Sequence, residues 1–288
     1  MKVANVQVQC MRNIRRLEFK PAPGLNLVCG ANGQGKTNLL EAVHLGLTGR
    51  SFRTRHDTEM LPWRNDRSRA LDSTFDDVSR ADILLECRSG ARKFRTVLGV
   101  GWKRVSLDGR LLPRLADLLN EAAVVTFIPE DAGLFKGSPA GRRRFLDSIL
   151  CQVVPGYLEE LQRYRKCARQ INAALRISGG KKSNALSREV EAWLPGLAAA
   201  AAFIMHERRL RLEGVSNRLS TRYRELGGEG HASLKYDPDI SGMTESEGQT
   251  PDAQIEVCRS CLANSLKSHG AWRSLQRGIH RDDFMIEL

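Results

Sequence analysis

Eight consecutive residues set the main chemistry open to this chain: Gly30-Ala31-Asn32-Gly33-Gln34-Gly35-Lys36-Thr37. Glycines at the first, fourth and sixth places let backbone N–H groups curl around phosphates at the start of a helix. Lys36 has the reach for β- and γ-phosphates, and the Thr37 hydroxyl is a ligand for Mg²⁺. The context fits, because Leu25-Asn26-Leu27-Val28-Cys29 reads as a short buried strand before the loop and residues 38–43 read as a helix after it. The segment is read as a nucleoside triphosphate site, with Gly30 to Thr37 as the binding residues and Thr37 on the metal.

A second chemistry is electrostatic. The chain carries a net charge of +12, and residues 136–224 hold 18 basic against 7 acidic side chains, or +11. Charge gathered in one segment points to a polyanionic partner, the alternative being a solvated basic face. Arg142, Arg143 and Arg144 open a helix, where cations oppose the dipole, so a binding role or a structural ion pair is expected of them. On a following helix Arg163, Lys166 and Arg169 recur every three residues and are expected to share roughly one face. Aromatic residues are sparse there, so phosphate contacts are expected in preference to base stacking.

Other clusters are read as structural. Cys258 and Cys261 lack a second pair, so neither zinc nor redox chemistry is expected. His280-Arg281-Asp282-Asp283 has no companion cluster and reads as a turn between lobes. Glu130 and Asp131 read as helix N-terminal acids.

Several elements must position these groups. Residues 2–9 and 15–20 read as strands around a turn at Arg12-Asn13, with further strands at 81–87 and 93–100 and a hairpin turn at Asp108-Gly109. The run Val124 to Ile128 reads as a buried central strand. Helices follow from Ser138-Pro139 onward, over 156–177, 186–226 and 253–268, with a strand at 232–236 inside a polar stretch from 227 to 252. With 288 residues, 41% of them hydrophobic, the chain can bury a substantial core, and no apolar run reaches the ~20 residues of a bilayer span. The N-terminus has no signal-peptide pattern and the seven cysteines form no secreted framework, so a cytoplasmic location is expected.

The words around the loop closely resemble the RecF family of DNA recombination and repair ATPases. The resemblance rests on Gly30 to Ala42, Thr48-Gly49-Arg50-Ser51-Phe52-Arg53-Thr54, Ile128-Pro129-Glu130-Asp131, Gly137 to Asp147, and Gly278-Ile279-His280-Arg281-Asp282-Asp283. It implies an α/β fold, an ABC-type P-loop ATPase head with an inserted, mostly helical second lobe. The expected division is 1–127 for the first part of the head, 128–269 for the basic lobe and 270–288 for a return into the head. The implied function is binding of ATP, Mg²⁺ and single-stranded or gapped DNA, with recombinase loading at gaps and a tie to the SOS response. Implied partners are recombination mediator proteins and, with ATP, a second copy; no membrane is implied. The resemblance also places Arg12 near nucleotide, Arg53 near phosphate or DNA, and Glu130 and Asp131 where related heads sense the γ-phosphate.

The family's weak ATPase activity needs an aspartate-bearing Walker B strand and a Ser/Gly-rich signature, which relatives carry after the His-Arg-Asp-Asp block. Neither is found here. The chain stops at Leu288, five residues past Asp283, so a truncated product or a fragment is expected, with nucleotide bound and little turned over. Two rivals are an SMC-type DNA-associated ATPase, which would carry long heptads, and a P-loop small-molecule kinase, which would carry a compact lid in place of a +11 lobe.

Overall fold

A computed structural model describes residues 2–62, 78–87, 90–119, 121–178, 184–240, 250–267 and 274–288. Residues 179–183 of the expected polar linker and residues 241–249 of the 227–252 loop lie outside these. The described chain forms two compact units, Met1–Thr126 and Phe127–Leu288.

The first unit is built on a six-stranded sheet of β1 (Lys2–Met11), β2 (Ile14–Phe19), β3 (Ser79–Cys87), β4 (Gly90–Gly99), β5 (Trp102–Leu107) and β6 (Arg110–Leu111). Its order is β2-β1-β3-β4-β5-β6, and every neighbouring pair is antiparallel. Alternation drives β1: Val6 and Val8 point into the core, while Gln7 between them is exposed. Asp108 and Gly109 both take positive φ, as a tight hairpin joining β5 to β6 requires. Helix α1 (Lys36–Thr48) lays Leu39, Ala42 and Leu45 on this sheet, one residue per turn of its inner face. The approach is close enough that a Cβ on Gly46 would come within 2.3 Å of Ile83 Cγ1.

Two expected strands are absent. Residues 21–34 and 122–128 have no ladder partner, and Leu25, Leu27, Val125 and Phe127 are 93%, 83%, 84% and 76% exposed. Apolar β-rich runs signal a tendency to be buried, but a strand also needs a neighbour for its backbone N–H and C=O groups. No described segment of this sheet offers one to either run.

The second unit is mostly helical: α2 (Pro139–Val153), α3 (Tyr157–Ile177), α4 (Asn184–Glu225) and α5 (Pro251–Lys267), with β7 (Ser233–Asp237) paired antiparallel to β8 (Asp283–Glu287). Ser138 caps α2 by accepting from the Gly141 N–H, and Pro139 occupies the first turn. In α4 the buried alanines at 198 and 200–202 belong to the same core as Leu161, Ile171 and Leu175 of α3. Among the described residues, no helix is long and apolar enough to cross a membrane. Of the segment 270–288, expected to return into the head, the described residues 274–288 fall within this unit. The reason is the β7–β8 ladder, which ties the last strand to the helical lobe.

Candidate functional site

The phosphate loop is shaped by backbone that only glycine adopts without strain. Gly30, Gly33 and Gly35 have φ of 151°, 82° and 95°, and Gly35 turns the chain into α1 with no side chain capping the helix. The first-turn N–H groups of α1 are therefore left for a ligand, and no acidic residue occupies that turn to oppose an anion. A Cβ built on Gly30 or Gly33 meets nothing within 4 Å, so the loop borders open space. Lys36 Nζ donates to the carbonyls of Gly30 and Ala31, at 2.7 Å each. The Thr37 side chain at the head of the helix is exposed. A loop of free N–H donors, one ammonium group and one hydroxyl fits a triphosphate with its magnesium ion. The ligand would supply phosphate oxygens and metal charge; the chain supplies the donors and holds them in place.

What holds them is a network that motif reading does not reveal. Asn13, in the β1–β2 turn, donates from Nδ2 to the Gly33 carbonyl at 3.0 Å and accepts at Oδ1 from Asn38 Nδ2 at 2.7 Å. Its neighbour Arg12, at φ 50°, forks onto Glu41 of α1 with contacts of 2.6 and 2.9 Å. Glu41 is fully buried and also accepts from Ser51 Oγ at 2.5 Å. Arg53 donates to Asn38 Oδ1 at 2.9 Å and lies 3.5 Å from Glu41. The turn, the loop, the helix and the 50–54 segment thus form one hydrogen-bonded assembly. Arg12 serves it through Glu41. The signal available in sequence was the spacing: Thr37 and Glu41 stand four apart, so the carboxylate lies one turn below the metal-binding hydroxyl. Deeper in α1, His44 Nδ1 meets Thr126 Oγ1 at 2.8 Å, and burial holds the imidazole below its usual range.

The basic candidates divide. Arg142 is buried and forks onto Asp283 at 2.6 and 2.8 Å, and Arg143 donates to the Asp282 carbonyl at 2.5 Å. Both point inward, so of the two roles expected for this run Arg142 takes the structural ion pair, Arg143 is held by a backbone carbonyl, and only Arg144 is exposed as a DNA-binding candidate. The physical reason is the Asp282-Asp283 pair. Its carboxylate and carbonyl oxygens offset the dipole cost of cations in the first turn of α2. At the centre of this cluster is Arg208, 2% exposed, which meets Asp282 at 2.7 Å, Asp147 at 2.8 Å and the Ile279 carbonyl at 3.0 Å. The Tyr236 hydroxyl also donates to Asp282, and burial raises that carboxyl above its ordinary range against the pull of Arg208. Asp282 and Asp283 of the His-Arg-Asp-Asp block therefore form, with Arg208 and Arg142, a clasp within the second unit, while His280 and Arg281 stay exposed. Arg208 was hidden in sequence as one cation among many on a basic helix.

On α3, Arg163 pairs with Glu160 at 3.0 Å, Lys166 Nζ stands 5.8 Å from the Trp193 ring centroid, and Arg169 is exposed. Asp131 accepts from the Ile128 N–H at 2.9 Å and caps the short 3₁₀ turn Pro129–Gly133, the structural role expected of it. Cys258 is buried, its thiol pushed up to about 12 by burial.

Comparison with known proteins agrees with these features. The AAA domain family matches residues 5–95. The DNA replication and repair protein RecF of Heliobacterium modesticaldum is 32% identical across 100% of this chain and 73% of its own length. The protein of the same name from Anaeromyxobacter sp. is 33% identical over the same shares. A solved structure described as the recombination mediator protein RecF-ATP in the RecFOR pathway superposes with a TM-score of 0.84, at 25% identity over 99% of this chain and 72% of that one. A second, described as RecF-ATPrS, gives 0.85. The chain thus spans about three quarters of the length of these relatives, and its fold is that of their ABC-type ATPase head with a helical lobe. It belongs to the RecF family of DNA replication and repair proteins.

Proposed function

We propose that this chain binds ATP with Mg²⁺ and, in that state, binds DNA at single-stranded gaps during recombinational repair and replication restart. The observation that carries the reading is the phosphate loop: uncapped helix N–H groups, Lys36 and the Thr37 hydroxyl converge on open space, and Asn13 and Asn38 brace the loop from behind. Gly30 to Gly35 supply backbone donors, Lys36 the cation and Thr37 the metal-ligating oxygen. Occupancy exchanges the two Lys36 contacts to the loop's own carbonyls for contacts to phosphate. The Asn38–Arg53 hydrogen bond gives such a change a path to the 50–54 segment.

The basic second lobe supplies phosphate contacts, so DNA affinity is steep in salt and nearly indifferent to sequence. Recombination mediator proteins, an ATP-dependent second copy, the cytoplasm and the SOS response complete the reading, by likeness to the family. Fluorescence anisotropy of a labelled gapped duplex tests it, with and without ATP and Mg²⁺. Nucleotide is expected to tighten binding by the wild-type chain and to leave the Lys36→Ala chain unchanged. Equal DNA affinity in all four conditions would overturn nucleotide gating.

A further inference from the structure

A pocket of about 330 Å³ opens on the second unit, between the outer face of α3 and the segment 275–280. Arg165 and Arg169, four residues apart on α3, stand on its rim within one helical turn of each other. Both are exposed, and neither guanidinium is engaged by a carboxylate among the described residues. This separates them from the two neighbours that spacing alone had favoured, since Arg163 is spent on Glu160 and Lys166 leans on Trp193.

The rest of the lining is neutral. Asn172 accepts the Leu275 N–H at Oδ1, at 2.7 Å, which orients its amide and leaves Nδ2 as a donor. Tyr164 is buried and its hydroxyl meets His280 Nδ1 at 2.7 Å. Burial holds that imidazole below its usual range, so the wall is uncharged near neutral pH. Ala168 adds only a methyl group to the lining, and among the described residues no acidic side chain lines the cavity. A concave site with two free guanidinium groups, an amide donor and no carboxylate selects a compact oxyanion that accepts forked hydrogen bonds.

We propose that this pocket seats one phosphodiester of bound DNA, with Arg165 and Arg169 as its two cationic jaws. The assignment rests on the DNA-binding reading above and deepens it by naming where on the lobe the backbone is gripped. Arg176 continues the same helix face, seven residues beyond Arg169 and about 10 Å along the axis, so the strand has a second cation to follow.

The test measures binding of a fluorescein-labelled gapped duplex at about 50 and 200 mM salt, the range over which phosphate contacts dominate affinity. In the Arg165→Gln/Arg169→Gln chain, affinity is expected to fall roughly tenfold or more on every sequence tried, with the log–log salt slope shallower by about 1 to 2. Ala168→Glu keeps both arginines but plants a carboxylate between them, and is expected to lose as much. Arg165 and Arg169 are exposed and Ala168 is half-buried, so circular dichroism checks that α3 persists in both variants. Wild-type binding retained in full by both variants, with an unchanged slope, would overturn the pocket assignment while leaving DNA binding intact. A loss in Arg163→Gln/Lys166→Gln with none in the pocket variants would move the grip to the other face. A wild-type chain that binds no DNA even at low salt would overturn both readings.

Discussion

Replacing Arg208 by methionine removes one guanidinium from between two carboxylates and fills its place with an apolar chain of similar length. Asp282 and Asp147 are 1% and 10% exposed at the side chain, so each is left as a charge out of water. Breaking a buried ion pair this way costs about 3–5 kcal/mol. The lower end applies here, because Asp147 keeps the Tyr157 hydroxyl at 2.7 Å and Asp282 keeps Tyr236 and the Asp239 N–H. At about 1.4 kcal/mol per tenfold, a loss near 3 kcal/mol lowers hydrogen-exchange protection in α2, β7 and β8 by roughly a hundredfold at pH 7. The deficit should also depend on pH. Asp282 already holds its proton more tightly when folded than the ordinary value of 3.8, and without Arg208 it holds it more tightly still. A carboxyl with a raised folded value favours folding at low pH and loses that contribution as pH rises through the folded value. The variant's deficit is therefore full at pH 7 and narrows as pH falls toward 4. Exchange by mass spectrometry at both pH values is the assay. A loss under about tenfold at pH 7, or one that does not change with pH, would refute the clasp as the centre of this unit.

Four further outcomes are expected. Arg142→Ala should destabilise the second unit by about 2–4 kcal/mol while changing the DNA affinity of the folded chain less than about twofold, since it leaves Asp283 unpaired and removes no outward charge; paired denaturation and DNA titrations check both. Asn13→Ala should weaken nucleotide binding by up to about tenfold, as two hydrogen bonds to the loop and helix are lost. Gly35→Ala should weaken it too, because φ is 95° and the new Cβ would lie 2.9 Å from Asn13 Oδ1, and a double-mutant cycle of the two should be non-additive. Phosphate release by these 288 residues with ATP and DNA should stay near background, since they contain neither Walker B acid nor signature; sustained turnover would require a carboxylate that now has no assigned role.

The strands around the Arg12-Asn13 turn, the 108–109 hairpin, the capped start of α2 and the phosphate loop were all legible, because each is set by residues close in sequence. The runs at 25–29 and 124–128 were not, since their apolar character reports a preference for burial and says nothing of which strand would lie alongside. The arginine run shows the same limit. Helix-dipole reasoning flagged Arg142 and Arg143 as needing a partner, but the partner stands 141 residues away from Arg142 in the chain. Asn13, Asn38 and Glu41 escaped notice for a related reason: ordinary polar residues acquire their role only when the β1–β2 turn folds back over the loop.

Calorimetric titration of ATP with Mg²⁺ into the wild-type and Lys36→Ala chains tests the central claim most directly. Among the described residues Lys36 Nζ donates to the loop's own carbonyls of Gly30 and Ala31, so its loss should leave the fold unchanged. Losing one charged hydrogen-bond donor is expected to cut affinity by at least about tenfold, or about 1.5–3 kcal/mol. Equal affinities in the two chains, or no heat of binding in the wild type, would contradict the account of this loop as a nucleotide site.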